Sequence, residues 1–336
     1  MRSPHPSFNK IAMRNWNKRD RGSIIAMSNQ SYDSLSDDLR AGGFDLFVPM
    51  RVAWYNDYLQ KLGLATDSTS YLEKSGETHA SGEGNAFKLA SLPDYGRQGN
   101  ALAFFVGNSK AIWPKFLRWL KDQPNAAAMK DPVDAYTSKF ITDAMNKFAA
   151  AEDNDDINSS DSDSESKKKD NKEEATTSSC AKEYEAFWAS DMSPDRLVDM
   201  NRVALVTQTC YFSEKLFLSI HPIFGSWVAF RAVVVFDASA SHLDPVAVAP
   251  PFLQSSSLLS DEEAENARIA LEEALRASSE QEFSVDGMSL ELATKWAKMR
   301  DCVSLGREYK YSSLQSEYHY TKNPKILLRA ISEDLH

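Results

Sequence analysis

One stretch constrains this chain more than any other: Leu216-Phe-Leu-Ser-Ile-His-Pro-Ile-Phe-Gly-Ser-Trp-Val-Ala-Phe-Arg-Ala-Val-Val-Val-Phe236. It predicts a strand, a tight Pro/Gly turn and a second strand too apolar to lie on a surface. One full charge, Arg231, stands in the middle of that second strand. Strand side chains alternate, so Trp227, Ala229, Arg231, Val233 and Val235 are expected on one face, and Val228, Phe230, Ala232, Val234 and Phe236 on the other. Leaving a desolvated guanidinium without a partner costs about 3–5 kcal/mol. An anion must therefore meet it. The residues leave open whether that anion is a carboxylate of the protein or of a ligand.

The rest of the composition narrows the function classes. At 336 residues the chain can bury a large core. No apolar run reaches the length of a membrane span, so no membrane segment is expected. The formal charge is −10. Ten acidic and four basic residues between Glu152 and Glu174 supply most of that charge. No basic stripe interleaved with aromatics is present, which argues against nucleic acid as a partner. Cys180, Cys210 and Cys302 are odd in number and far apart, with no zinc-type spacing. That predicts a reducing compartment and no metal site. Residues 1–30 are expected to be a flexible extension. Six basic residues between Met1 and Arg21 suit either a mitochondrial presequence or a plain basic arm.

Along the chain, Ser34–Leu39 predicts a short helix stopped at Gly42-Gly43. Phe44, Leu46 and Val48 alternate as in a strand, with Trp54-Tyr55-Asn56 on or beside a helix. Residues 64–97, rich in Ser, Thr, Gly and Glu, are expected to form a surface insertion. Ala101–Val106 is a buried strand, followed by a helix carrying Phe116, Trp119 and Leu120 inward. Asp131-Pro132 opens another helix, with Tyr136, Phe140, Ala144 and Phe148 along its core face. Residues 151–179, acidic and Ser-rich, are predicted to be a disordered insertion. Ser193-Pro194 is expected to start a helix running to about Phe212. Ser260 and Glu263 form a capping box ahead of a helix with Ile269, Leu271 and Leu275 inward. A second helix, about Leu290–Arg300, carries Leu292, Trp296 and Met299. Tyr309–Leu328 reads as aromatic first and then helical. Strands and helices come in clumps around a central hairpin, so the class is α+β with a largely antiparallel sheet.

The motifs for chemistry are sparse. G-x-S-x-G, P-loop and G-x-G-x-x-G patterns are absent. No catalytic residue can be singled out. His221 is either a ligand or a core histidine satisfied by backbone, and Cys210 either a soft-metal ligand or an inert buried thiol. Arg300 pairs with Asp301, with Glu308 or with nothing in the chain. Tyr309, Tyr311, Tyr318, His319 and Tyr320 either stack on a flat ligand or close the core.

Several pieces together resemble the MMACHC (CblC) family. They are Val52-Ala-Trp-Tyr-Asn56, Ala101-Leu-Ala-Phe-Phe-Val106, Asp131-Pro-Val-Asp134, Ile220-His-Pro-Ile-Phe-Gly-Ser-Trp-Val-Ala-Phe-Arg-Ala-Val-Val235, Arg300-Asp-Cys-Val303 and Tyr318-His-Tyr-Thr321. Ala-Trp-Tyr-Asn and Ile-His-Pro-x-Phe-Gly-x-Trp-x-x-x-Arg are the specific ones. The resemblance runs from about residue 33 to 330. It implies one domain over 31–336 with a flavin nitroreductase-like fold, an antiparallel sheet flanked by helices, interrupted by the two insertions.

The resemblance also implies an enzyme, a cyanocobalamin reductase and alkylcobalamin dealkylase of the cytoplasm. Such proteins bind cobalamin with its lower base detached. Reduced flavin (FMN or FAD), regenerated by NADPH, drives removal of cyanide, and glutathione removes alkyl groups. Product passes to a cobalamin-trafficking partner and the methionine synthase pathway. Two alternatives share the scaffold: a non-catalytic cobalamin chaperone, and a flavin-dependent reductase of another substrate. By resemblance Arg231 and Arg300 bind glutathione. The family's third arginine falls on Ile326, which leaves Lys325 or Arg329 to substitute. Leu197, Val198, Asp199, Met200, Tyr211, Phe212, Ser213, Ser219 and Phe230 fall at cobalamin contacts. The family's Gln-Thr-x-x-His-x-x-Gly pattern is absent, and the 211–219 loop is shorter than the family's.

Overall fold

The computed structural model describes residues 29–65, 88–124, 129–158, 183–240, 257–280 and 288–333. Helix α1 (Asn29–Ala41) leads into strand β1 (Leu46–Arg51), which passes directly into α2 (Val52–Lys61). Strand β2 (Ala101–Asn108) is followed by α3 (Ile112–Lys121) and α4 (Pro132–Asn158). Strand β3 (Tyr184–Trp188), helix α5 (Met200–Val206), the short strands β4 (Tyr211–Ser213) and β5 (Leu218–Ile220) and the long β6 (Ala229–Ser239) come next. Helices α6 (Asp261–Glu280), α7 (Leu290–Asp301), α8 (Ser313–Thr321) and α9 (Pro324–Glu333) close the chain.

The main sheet has the order β1-β2-β6-β3, every pair antiparallel. The α+β class and the antiparallel sheet flanked by helices are as expected. The apolar runs in β2 and β6 are explained by their central places, because both faces of these strands are covered. Leu102, Phe104, Val106, Ala232, Val234 and Phe236 pack on one face against α1, α3, α4, α8 and α9. Ala103, Phe105, Val233 and Val235 pack on the other against α2, α5 and Leu89–Leu92. Phe104 sits among the rings of Phe47, Phe148 and Phe236. Burying such a ring contributes about 1.5–3 kcal/mol. The predicted stripe of α4 is present: Asp131 caps it by accepting from Asp134 N, and Tyr136 donates to Gly42 O at 2.7 Å. No described helix is long and apolar enough to cross a membrane.

A third cluster joins β4, β5, α6 and α7 through Leu216, Leu218, Ile220, Ala267, Ala270, Met299 and Val303. Here several expectations need correcting. The first strand of the opening stretch pairs with β4 rather than with β6, so the stretch is not one hairpin. The turn closes on itself instead, with His221 and Gly225 exchanging backbone hydrogen bonds. In α6 the buried residues are Ala267, Ala270 and Ala274, whereas Ile269 and Leu275 are 42% and 51% exposed. The capping box does form, since Glu263 accepts from Ser260. Small side chains let α6 lie close against α7; Leu271 packs inward as expected, while Ile269 and Leu275 turn outward.

Boundaries also move. Helix α1 starts at Asn29, earlier than Ser34 and inside the span assigned to the flexible extension. Of residues 64–97, only 66–87 lie outside the described residues. Leu89, Ala90 and Leu92 are core. Asn56 pins them, its side-chain amide accepting from Leu92 N and donating to Leu92 O at 2.9 Å each. Helix α4 continues to Asn158, through the first eight residues of the acidic segment, whose 159–179 part lies outside the described residues. The helix expected from Ser193 to Phe212 is only Met200–Val206. Asp199 caps it by accepting from Asn201 N and Arg202 N, and Gln208 turns left-handed just beyond its end (φ 54°).

Candidate functional site

The side chain of Arg231 does not follow simple alternation. Val106 pairs with Ala232 while Gly107 pairs with Phe230, so Arg231 is the extra residue of a β-bulge. Gly107 permits this, because a Cβ there would come within 2.9 Å of Ala229 O. The bulge sends Phe230 to the second face, where its ring meets Phe105 at 5.0 Å, and Ala232 to the first. Arg231 turns toward α4 and α8. Part of its surface stays accessible, yet burial lowers its pKa, with Tyr311, Asp134 and Asp131 acting in the opposite direction.

The anion question has a specific answer. Arg231 Nε donates to Asn108 Oδ1 at 2.6 Å, and among the described residues no carboxylate forms an ion pair with it. The acids nearest to it electrostatically, Asp134 and Asp131, belong to the first turn of α4 and its cap. Asp134 is itself raised above the usual carboxylate value by burial and by Asp131. Between Asp134 and Arg231 lies a cavity of about 20 Å³, also lined by Thr137, Ser138, Trp188, Ala189 and Ser190. That is room for a single water.

Arg300, near the end of α7, reaches the same place from another direction. Its Nη2 donates to Val228 O at 3.1 Å, and its guanidinium lies over Trp227 and Tyr311 at 5.5 and 5.7 Å. Its Nη1 is buried and has no hydrogen-bond partner. No ion pair forms with Asp301, which binds Lys310 instead. His319 feels the charge of both arginines and packs against Tyr311, the ring over which Arg300 lies. Its pKa is pushed well below the usual imidazole value, first by burial and then by Arg300, Arg231 and Lys322. Tyr311 and Tyr320 flank it with ring centroids 5.6 and 4.8 Å away.

A third cation that acts on His319 is Lys322, a residue the sequence pattern did not single out. It follows α8 in a left-handed conformation and approaches Asp131 at 3.6 Å. Nothing local in the sequence points to it, because its placement follows from how α8 packs. Lys325 is exposed in the first turn of α9, Arg329 binds Glu333, and Ile326 is buried. None of the three is among the groups that act on His319.

The nine predicted cobalamin contacts gather around α5 and β4–β6, but most are engaged within the fold. Val198 and Met200 are in the second core, and Phe212 is 2% exposed. Asp199 caps α5, pairs with Arg202, and its N–H donates to the Tyr55 hydroxyl at 2.9 Å. Ser219 donates to Asn201 Oδ1 at 2.8 Å, tying β5 to α5. Leu197, Tyr211, Ser213 and Phe230 keep partly accessible surface. At the β4–β5 turn Phe217 is 75% exposed and left-handed (φ 48°), a second feature that sequence reasoning missed.

The remaining candidates resolve toward structure. Cys210 is buried, which raises its thiol pKa. A hollow of about 670 Å³ between α6 and α7 is lined by Glu263, Lys298, Cys302 and Arg307. Lys298 and Cys302 are one helical turn apart, on the side of α7 away from Arg300. His221 Nδ1 accepts from Ile223 N and Phe224 N at 3.1 and 3.2 Å, so the ring is neutral, and burial lowers its pKa from 6.5 to about 4. Between those values only the unfolded chain takes up the proton. The stability that His221 contributes, on the order of 3 kcal/mol, is therefore complete above pH 6.5 and lost as pH falls to about 4. His319 shifts in the same direction and adds to the slope. We expect the thermal midpoint to drop through this window and His221→Gln to flatten the drop. An equally steep pH dependence in the variant would contradict this role.

With the sheet and the arginine pair placed, comparison with solved structures is informative. A crystal structure described as a C. elegans B12-trafficking protein CblC, a human MMACHC homologue, aligns with a TM-score of 0.50. It covers 92% of this chain and 98% of that one. The chain has the CblC fold. At 15% identity the two share an architecture rather than a sequence. No protein-family model and no curated protein matches the chain by sequence. The CblC fold agrees with the resemblance read from the Ala-Trp-Tyr-Asn and Ile-His-Pro-x-Phe-Gly motifs. In this chain those motifs occupy α2 and the turn before β6.

Proposed function

We propose that this protein binds cobalamin with its lower base detached and removes the upper axial ligand, acting in the cytoplasm. One observation carries the reading. Arg231 and Arg300, from distant elements of a CblC-type fold, face one histidine, and neither forms an ion pair with any described carboxylate. Two uncompensated guanidinium groups at one place suit a ligand with two carboxylates, as glutathione has. In this reading the arginines, with Lys322 beside them, hold glutathione so that its thiolate reaches the cobalt-bound carbon. The sulfur takes the alkyl group, and the bonding pair stays on cobalt. The protein supplies position and charge, while cobalt and thiol carry the bond chemistry. Leu197, Tyr211, Ser213 and Phe230 are the predicted contacts whose remaining accessible surface suits the corrin.

Reduced FMN or FAD, regenerated with NADPH, would supply electrons for removal of cyanide. The described residues single out no side chain for it. A trafficking partner leading to methionine synthase would receive the product.

Spectroscopy tests the reading directly. Mixing the purified protein with methylcobalamin should give the blue-shifted absorption of the base-off form, and adding glutathione should then convert it. No shift on mixing would sink the proposal. A shift that glutathione leaves unchanged would mark a cobalamin carrier without dealkylation.

A further inference from the structure

We propose that Asn108 is a positioning residue for Arg231, holding the guanidinium through a neutral contact so that its charge stays available to a ligand carboxylate. The proposal rests on the reading of the arginine pair just given. Asn108 ends β2 and is fully buried. Its Oδ1 accepts from Arg231 Nε at 2.6 Å, and its Nδ2 donates to Ser109 O at 2.7 Å. Ser109 is anchored in turn by Asp45, which accepts both from its backbone N–H and from its hydroxyl. The relay Asp45–Ser109–Asn108 thus fixes the arginine at its inner nitrogen.

What the relay leaves untouched decides its use. Nη1 and Nη2 of Arg231 have no hydrogen-bond partner among the described residues, so the two-pronged end of the fork is open. The groups facing it are Tyr311 from the loop before α8, and Asp131 and Asp134 from α4. Lys322 sits against Asp131, which keeps that acid engaged elsewhere. An aspartate at 108 would be nearly isosteric, would still accept from Nε and would cancel the charge, though it would lose the bond to Ser109 O. Asparagine meets the geometric requirement and leaves the electrostatic one to the ligand. Residue 108 therefore sets how strongly the site attracts a carboxylate-bearing thiol.

The test uses the full chain, Asn108→Asp and Asn108→Ala, and S-methylglutathione as an unreactive probe in calorimetric titration. Asn108→Asp should lower the thermal midpoint less than Asn108→Ala does, because the new ion pair offsets the lost bond to Ser109 O, yet bind the probe about tenfold to a hundredfold more weakly. The glutathione KM should rise by a similar factor, with kcat changed far less. Asn108→Ala should lower the midpoint and weaken the probe less than Asn108→Asp does. A purely structural role predicts the reverse order, so probe affinity unchanged in Asn108→Asp, or tracking the midpoint across both variants, overturns the proposal. If Asn108→Asp does not fold, Asn108→Ser carries the test, and parental affinity in it is equally fatal. Failure of the parent to bind the probe also overturns the proposal, whereas the absorption shift with cobalamin decides the wider reading independently.

Discussion

Gly225→Ala is expected to cost the protein its fold. Gly225 has φ 58°, and a Cβ built on it would lie 1.8 Å from Leu305 O. Opposite stands Gly306, φ 72°, whose own Cβ would lie 2.3 Å from Phe224 C. Two turns are pressed back to back, and each clash is with backbone, which cannot swing aside. Retreat is blocked on both sides: His221 and Gly225 lock the first turn, and Trp227 and Val303 beside the contact are buried. Left-handed strain and a backbone overlap together should exceed about 4 kcal/mol, enough to lower the thermal midpoint by roughly 6 °C or more, or to prevent soluble expression. A variant that melts within about 2 °C of the parent would show that this contact is not as close as described. The same junction holds the candidate site. Ser226 Oγ donates to Arg300 O, and Arg300 Nη2 donates to Val228 O, so the turn contact also orients the second arginine.

Arg231→Ala should have the largest effect on activity. A charge-assisted contact to a carboxylate contributes about 1.5–3 kcal/mol, so glutathione-dependent dealkylation should fall roughly tenfold to 150-fold. The base-off shift of bound cobalamin should persist, because none of the predicted corrin contacts depends on this guanidinium. Equal loss of both, with the fold preserved, would contradict the assigned role. If the variant unfolds, Arg231→Lys offers a milder probe: it keeps the charge, loses the planar fork, and should raise the glutathione KM while leaving the cobalamin shift in place. Of the two lysines near the C-terminus, Lys322→Ala rather than Lys325→Ala should mimic part of this phenotype, since Lys322 is the one that acts on His319.

How legible the site was depends on which forces placed each residue. The capping box at Ser260–Glu263, the Asp131 cap and the buried strands follow from short-range hydrogen bonding and burial, and all are present. On α6 the aliphatic pattern marks only Leu271 correctly, because close helix packing places Ala267, Ala270 and Ala274 in the seam and leaves Ile269 and Leu275 outside. Leu89–Leu92 read as surface because its partner, the Asn56 amide, is 36 residues away. Lys322 escapes local pattern for the same reason: only the packing of α8 and α4 sets this left-handed residue beside Asp131.

The stretch from Leu216 to Phe236 shows the division most clearly. Strand burial and the cost of desolvating a guanidinium are local properties, so the residues alone already required an internal strand with one charge that no neighbour could neutralise. They also determined the turn, through Pro222 and Gly225. Only the tertiary structure decided which face the arginine takes, since a bulge opposite Gly107 breaks the alternation. It alone brought Arg300 to the same histidine, and it set a neutral Asn108 against the arginine whose anion the residues had left open. Those outcomes depend on contacts between residues more than 60 positions apart, and no local periodicity encodes them.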